Sequence, residues 1–363
     1  MSIFLLIIGL VLFVGLVVLH ELGHALVARR KGVVVEEFGV GFPPRAWSKK
    51  LKNGVLLSLN WLPLGGFVRL KGEHDAATGK GTYGGASLWA KTQILLAGVA
   101  INWLTAVLIF TVLALIGLPQ LLPNQFTVAS DTKYTQRDVV VAGVVKDSPA
   151  EKAGLQGGDK LRRLNNDVID TGDKLSELTE KNAGQMVQIV YERKGQEQVA
   201  RVQLHQESAD GQGYAGIGPA EQILRRSTWS APIVGVGVTA QYTAMTFAGL
   251  ASTLGHVFRS EFAQAGQNVA GPVGIFGILQ QSAEMGAIPV LFLVGIISLT
   301  LAVMNVLPVP ALDGGRLFVT LVFRVLRRPL TKEREERIQA AGFIVLMLLI
   351  VLITVVDVSR ITR

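Results

Sequence analysis

Apolar residues fall along this chain in long blocks separated by polar stretches. Ile3 to Leu19 is entirely apolar or Gly, and Ile94 to Leu118 is nearly so, broken mainly by Asn102 and Thr105. Ile288 to Leu307 and Ala340 to Val356 are two more such blocks. Each approaches the length of about 20 residues that an α-helix needs to cross a bilayer. Four of them predict membrane-spanning helices rather than the core helices of a large soluble protein. Ala231 to Phe258 is apolar but dotted with Thr, Gln, Tyr and Ser. Its pattern fits a fifth span or a helix lying on the outer membrane surface, and the charge distribution favours a surface-lying or soluble helix.

Between the second and third blocks the pattern turns soluble and mixed. Asp138–Val145 and Lys160–Asn165 read as strands, and Val187–Arg193 and Gln198–Leu204 as a closing strand pair. Ser148 caps a short helix closed by Gly154, and Asp173–Lys181 reads as a second helix. The expected organisation is a first membrane part over 1–120 and an extracytoplasmic domain over 121–225. An extracytoplasmic surface helix with a Gly-Pro segment then covers 226–285, and a second membrane part covers 286–363.

The 363-residue chain is half apolar, has no cysteine and carries a formal net charge of +8. Without cysteine there are no disulfides, no thiol catalysis and no Cys-based zinc or iron–sulfur sites. The positive charge gathers in Arg29–Lys91 and Pro308–Arg337, each abutting an apolar block, while the segment between the second and third blocks is nearly balanced. The positive-inside rule places the two basic loops in the cytoplasm and the middle segment, with both termini, outside. A fifth crossing at Ala231–Phe258 would put the basic loops on opposite sides. Charge that abuts spans points to the lipid bilayer as partner and not to nucleic acid. The first block lacks the basic region and the small-x-small cleavage site of a signal peptide, so it reads as a retained span.

The candidate chemistry begins at the end of that span, in His20-Glu21-Leu22-Gly23-His24. Four residues apart on a helix, His20 and His24 share one face and can share a metal, with Glu21 beside them as a general base. Ionisable groups in a lipid-embedded helix read as functional. A third ligand is needed. His205 and His256 fall on the other side of the membrane by topology, whereas His74 lies on the same side. Asp313 is the stronger candidate. It follows Asn305-Val306-Leu307-Pro308-Val309-Pro310-Ala311-Leu312, where two prolines prevent regular helix, and Gly314-Gly315 permits a tight bend. Irregular backbone at membrane depth is tolerated only inside protein or beside water, as an open metal site requires.

HExxH in a first span with Asn-x-x-Pro-x-Pro-x-Leu-Asp-Gly-Gly after a later one resembles the site-2 protease family of intramembrane metalloproteases. The branch it is similar to is the bacterial, regulator-of-sigma-factor type. The middle segment, with Ser-Pro-Ala-Glu-Lys-Ala-Gly-Leu-Gln-Gly-Gly-Asp at its core, resembles a bacterial-protease PDZ domain. The resemblance implies an α-helical polytopic membrane protein of four transmembrane helices, with a membrane-associated β-hairpin region and an inserted α+β PDZ domain. It implies Zn2+ held by His20, His24 and Asp313, with Glu21 as general base and Asn305 handling the substrate or the developing oxyanion. Asn60–Leu70 resembles the family's β-hairpin region, which either pairs its open edge, with Gly65 and Gly66, with an unwound substrate strand or anchors the chain to the lipid surface. Ala97–Asn102 resembles the second-span motif, with Val99 where the family often has Pro; Asn102 there either lines the catalytic cavity in contact with substrate or hydrogen-bonds between helices. Gly271–Ile275 matches a motif ahead of the third span. The implied substrates are single-span membrane proteins, such as anti-sigma factors trimmed outside, or remnant signal peptides. The implied location is the bacterial inner membrane, with the PDZ domain either holding a peptide or serving as a spacer or size filter. No glycine-rich carboxylate-binding loop is visible before Val139. A non-catalytic scaffold would have lost Glu21 or a ligand, and a zinc transporter would string ionisable residues through successive spans.

Overall fold

The computed structural model describes residues 2–193, 195–207, 213–259, 261 and 270–361. They divide into two compact units, Met1–Val112 with Pro232–Arg363, and Leu113–Ala231.

The first unit is built from long helices, because a lipid-embedded chain must satisfy its backbone internally. In order these are α1 (Ser2–Arg30), α2 (Leu88–Ile116), α5 (Ala231–Phe258), α6 (Pro272–Met285), α7 (Ala287–Val306), α8 (Asp313–Val325) and α9 (Lys332–Ile361). Helix α1 ends in a Schellman motif. Val33 N–H donates to Ala28 O, Gly32 N–H to Arg29 O, and Gly32 takes the left-handed φ of 77°. Gly23 lets α1 approach α2 closely, since a Cβ there would stand 2.8 Å from Ala97 O.

Among the described residues five helices, not four, are long and apolar enough to cross a membrane: α1, α2, α5, α7 and α9. The addition is α5, which packs along α2 instead of standing apart. Gly235 lies against Thr111, the Tyr242 ring stacks on Phe110 at 6.1 Å, and the Trp103 indole donates to Thr243 at 3.2 Å. Its hydroxyls turn inward, with Thr239, Thr243 and Thr246 each donating to the carbonyl four residues back. A threonine so engaged does not call for water, which is why a polar composition misrepresents this helix. Helix α7 also runs along α2, with Phe292 against Phe110 and Ser298 Oγ donating to Asn102 O. Positions on α2 fall as those on α5 and α7 rise, so both helices are antiparallel to α2. Two successive long helices therefore point the same way, and the parity argument drawn from charge does not count them. Farther on, the Gly-Pro-Val-Gly segment opens α6, where Asp357 of α9 accepts from Gly274 N–H at 2.8 Å. Side chains at Gly271 or Gly274 would meet that carboxylate.

Between α1 and α2 stand two long antiparallel strands, β1 (Val35–Lys50) and β2 (Leu56–Leu70). Each bends, β1 near Gly41 and β2 near Gly65, and both glycines have positive φ. Val40 accordingly registers with both Gly66 and Leu59, and Lys50 with Leu56. Four short runs lie side by side, and the Gly66–Leu70 run is at the edge. Glu37 is buried under this ribbon, accepting from Ser58 at 2.7 Å and Arg45 at 2.8 Å, with Arg69 3.3 Å away.

The second unit carries β3 (Leu118–Pro119), β4 (Lys133–Val144), α3 (Pro149–Lys152), β5 (Lys160–Leu164), β6 (Asp167–Val168), α4 (Gly172–Lys181), β7 (Met186–Arg193), β8 (Gln196–Gln203) and β9 (Ile217–Arg226). The sheet order is β3-β9-β4-β5-β7-β8, with β6 on β5. Its alternating apolar positions, Val139, Val141, Leu161, Ile189 and Val202 among them, close one core with Leu175 and Leu178 of α4. Ser148 caps α3 and Thr171 caps α4 through N–H bonds from Glu151 and Lys174. Strand β4 begins before Asp138 because Lys133–Arg137 pair with β9, a strand whose Gly-Pro entry hides it in the sequence.

Burial raises the Glu37 pKa, but the bonds from Ser58 and Arg45 and the charge of Arg69 outweigh it and hold the carboxyl below its ordinary range. A depressed folded pKa gives stability that is full above about pH 4.3 and is lost as pH falls through the lowered value. Limited digestion of the hairpin by an acid-stable protease should therefore rise only in acid. Glu37→Gln should loosen the hairpin by about 1–2 kcal/mol at neutral pH and abolish the acid step; an unchanged acid step would refute this account.

Candidate metal centre

Helix α1 places His20 and His24 one turn apart, both buried, with their rings edge to face at 4.7 Å between centroids. Their Nε2 atoms are 3.1 Å apart. Asp313, the first residue of α8, brings Oδ2 to 3.1 Å from His20 Nε2 and 3.3 Å from His24 Nε2. Among the described residues these three form the group able to hold a metal ion. The triangle fits zinc. Tetrahedral ligands about 2.0–2.1 Å from one ion stand about 3.3–3.4 Å from each other. With both rings in the tautomer that leaves Nε2 unprotonated, two imidazole nitrogens and a carboxylate oxygen converge as lone-pair donors, the ligand set zinc takes.

The backbone that delivers Asp313 is tight. Helix α7 stops at Val306, ahead of Pro308 and Pro310, and α8 starts at Asp313. Ala311 takes a left-handed φ of 78°, and its N–H donates to Gln339 Oε1 at 2.6 Å. A side chain at Gly314 would run into Val306 O, and one at Gly315 into Val309 O. The two glycines thus let the turn fold back under the end of α7. His24 is fixed from behind, with its Nδ1 2.7 Å from Ile94 O. Gly98 of α2 lies against both rings, where a Cβ would stand 2.5 Å from His24 Nε2 and 2.6 Å from His20 Cε1.

Glu21 lines the same cavity as His24 and Asp313, together with Glu73, Tyr83 and Arg316. The cavity has a volume of about 100 Å³, room for several waters but not for a helix about 10 Å across. One wall is a buried ionic cluster. Arg316, one turn after Asp313, donates to Glu73 Oε1 at 2.9 Å and Glu335 Oε1 at 3.1 Å, and packs over the Tyr83 ring. It also bonds Glu73 O. Asp75 N–H donates to Glu335 Oε2 at 2.7 Å, and Asp75 pairs with the buried Lys91 of α2. The cluster fastens the loop after β2 to α2, α8 and α9.

The remaining expected site residues are placed as follows. Gly66, on the edge run of the hairpin, stands beside Glu21, where a Cβ would be 3.3 Å from Glu21 Cγ. Gly65 sits against the Phe42 ring. Asn102 is fully buried next to His20, 3.4 Å from Nδ2 to Nδ1. Asn305 donates its amide to Leu301 O in its own helix, and among the described contacts it has none to the three ligands. His74 has a buried Nδ1 without a partner and lies outside the metal group. Sequence reasoning did not single out Arg316, Glu73, Tyr83 or the Ile94 carbonyl. Arg316 follows the Asp-Gly-Gly turn directly and was the one with a local signal.

The peptidase family M50 pattern matches residues 8–349, and this chain belongs to that family. It is a membrane metalloprotease of the site-2 protease class. It is 30% identical over 352 residues to a Clostridium perfringens protein that carries a zinc-metalloprotease name, covering 96% of this chain and 97% of the other. It is 26% identical to the zinc metalloprotease RasP of Shouchella clausii, covering 96% of this chain and 97% of that one. A solved PDZ domain of an SdrC-like protein from Listeria monocytogenes covers 24% of this chain and 92% of its own length, at 23% identity and a TM-score of 0.21.

Gly98→Ala should separate ligand geometry from fold. The added methyl displaces both imidazoles, so bound metal should fall at least about tenfold while the helical content of the purified chain stays the same. Full metal content in Gly98→Ala would contradict the packing described.

Proposed function

We propose that the chain is a zinc endopeptidase that hydrolyses peptide bonds in or beside the transmembrane segments of single-span membrane proteins. The observation that carries this reading is the triangle of His20, His24 and Asp313, built on helices long and apolar enough for a bilayer. The names of its relatives support zinc. When bound, zinc lowers the pKa of a coordinated water towards about 7 and polarises the scissile carbonyl. Glu21, in the same cavity, takes the proton from the attacking water and passes it to the leaving amine. Asn305, from the same segment as Asp313, is the group proposed to meet the substrate or the developing oxyanion.

The size of the cavity supports an extended substrate, because a helix does not fit and its amides are shielded. The edge run Gly66–Leu70 has backbone to offer such a strand right beside Glu21, with Gly65 and Gly66 keeping the approach open. Chemistry then acts on a locally unwound segment. Basic loops next to the spans support a bacterial inner-membrane location, with the catalytic centre towards the cytoplasm and the second unit outside. That unit is proposed to be a PDZ domain. Among the described residues β3 pairs with β9 at Leu224 and Arg225, and the Ile217–Ala220 stretch is the edge proposed for a peptide, near α4, whose Gly172 N–H bonds Glu221. Anti-sigma factors and remnant signal peptides are the substrate classes this architecture suits.

The test is zinc content together with cleavage of a model transmembrane substrate. Glu21→Gln should keep its zinc and lose at least about 10²-fold in rate, and Asp313→Ala should lose zinc. Undiminished cleavage by Glu21→Gln would sink the reading, and unchanged zinc in Asp313→Ala would return the third-ligand role to His74.

A further inference from the structure

His20 and His24 present the same atom to the centre and are held from behind by different groups. In each ring Nε2 faces the other ring and Asp313 Oδ2. A neutral imidazole has one N–H, so a ring that binds metal through Nε2 carries its proton on Nδ1, and that N–H needs an acceptor. For His24 the acceptor is Ile94 O, 2.7 Å from Nδ1. For His20 the neighbour of Nδ1 is the carboxamide of Asn102, which is fully buried. Its Nδ2 lies 3.4 Å from His20 Nδ1, and its Oδ1 is buried without a hydrogen-bond partner.

This arrangement sets two N–H groups facing each other and leaves the carboxamide's acceptor turned away from them. A half-turn of the carboxamide exchanges Oδ1 and Nδ2 with little change in shape. The oxygen then meets the His20 Nδ1–H. We infer that Asn102 is a positioning residue for the metal centre: its Oδ1 accepts from His20 Nδ1–H, fixes the ring tautomer and aims the Nε2 lone pair at the ion. The inference rests on the proposed reading of His20, His24 and Asp313 as zinc ligands. It gives Asn102 a different task from the substrate contact that the family resemblance implies, one that suits a side chain with no exposed surface. Asn102 is itself held in place, since Ser298 Oγ of α7 donates to its carbonyl at 2.8 Å. Helix α7 leads into the turn that carries Asp313, so α2 supports one ligand through a side chain and is tied through its backbone to the helix that precedes another.

The test uses the full chain purified in detergent micelles, with zinc affinity measured by competition against a chromophoric chelator at pH 7. KM and kcat on a transmembrane model substrate are measured at saturating zinc. Asn102→Leu keeps the volume and removes the acceptor, and should weaken zinc binding about 10- to 100-fold. Asn102→Asp keeps an acceptor at the same place and should bind zinc within about threefold of the native chain, a rescue that lost packing would not give. If Asn102→Leu does not fold, Asn102→Ala is read in the same way. Wild-type zinc affinity in Asn102→Leu with a raised KM would overturn the inference in favour of substrate contact, and equal losses in the Leu and Asp variants would overturn it in favour of packing. A His20→Ala chain that binds zinc as tightly as the native one would instead remove the metal reading itself, whereas zinc lost from His20→Ala alongside an unaffected Asn102→Leu would sink the inference alone.

Discussion

Three acceptor atoms from two distant parts of the chain meet within 3.3 Å of one another, and much of the first unit can be read as what holds them there. Mutual repulsion would spread them. Each ligand is therefore braced. His24 has a carbonyl behind it and His20 a carboxamide. Asp313 sits at the head of a helix pinned through Arg316 to Glu73 and Glu335. The small residues of α1 and α2 follow from the same constraint, since the rings fit only because position 98 has no side chain.

The constraint also gives a role to the charged cluster beside the three side chains. Arg316, Lys91, Glu335 and Asp75 are paired around the Tyr83 ring and do not stand alone. A buried network of this kind contributes little net stability against an apolar replacement, but it is intolerant of losing one member. Its service is registry, because it fixes the loop after β2 against three helices at the wall of the catalytic cavity.

The centre was legible in the sequence because its parts are local signals. His20 and His24 share a helical face, and Asp313 is framed by Pro308, Pro310 and two glycines. The second unit's longer strands alternate and its helices are capped, so their placement could also be read, apart from the two-residue β3 and β6 and from β9, whose Gly-Pro entry breaks the alternation. The role of α5 could not be read. Hydropathy averages over side chains and does not know that Thr239 and Thr243 spend their hydroxyls on their own helix. Nor does a sequence show that Glu73 and Glu335 share one guanidinium, since that pairing depends on how helices pack and not on any spacing.

Asp313 lies near the far end of the chain from the two histidines. A nascent polypeptide therefore carries His20, Glu21 and His24 into the membrane long before the final ligand has been synthesised. On the proposed reading, until α8 docks the segment that bears Glu21 lacks its third metal ligand. On that reading the order of the ligands along the chain acts as a delay, because the centre is assembled only once Asp313 has joined His20 and His24.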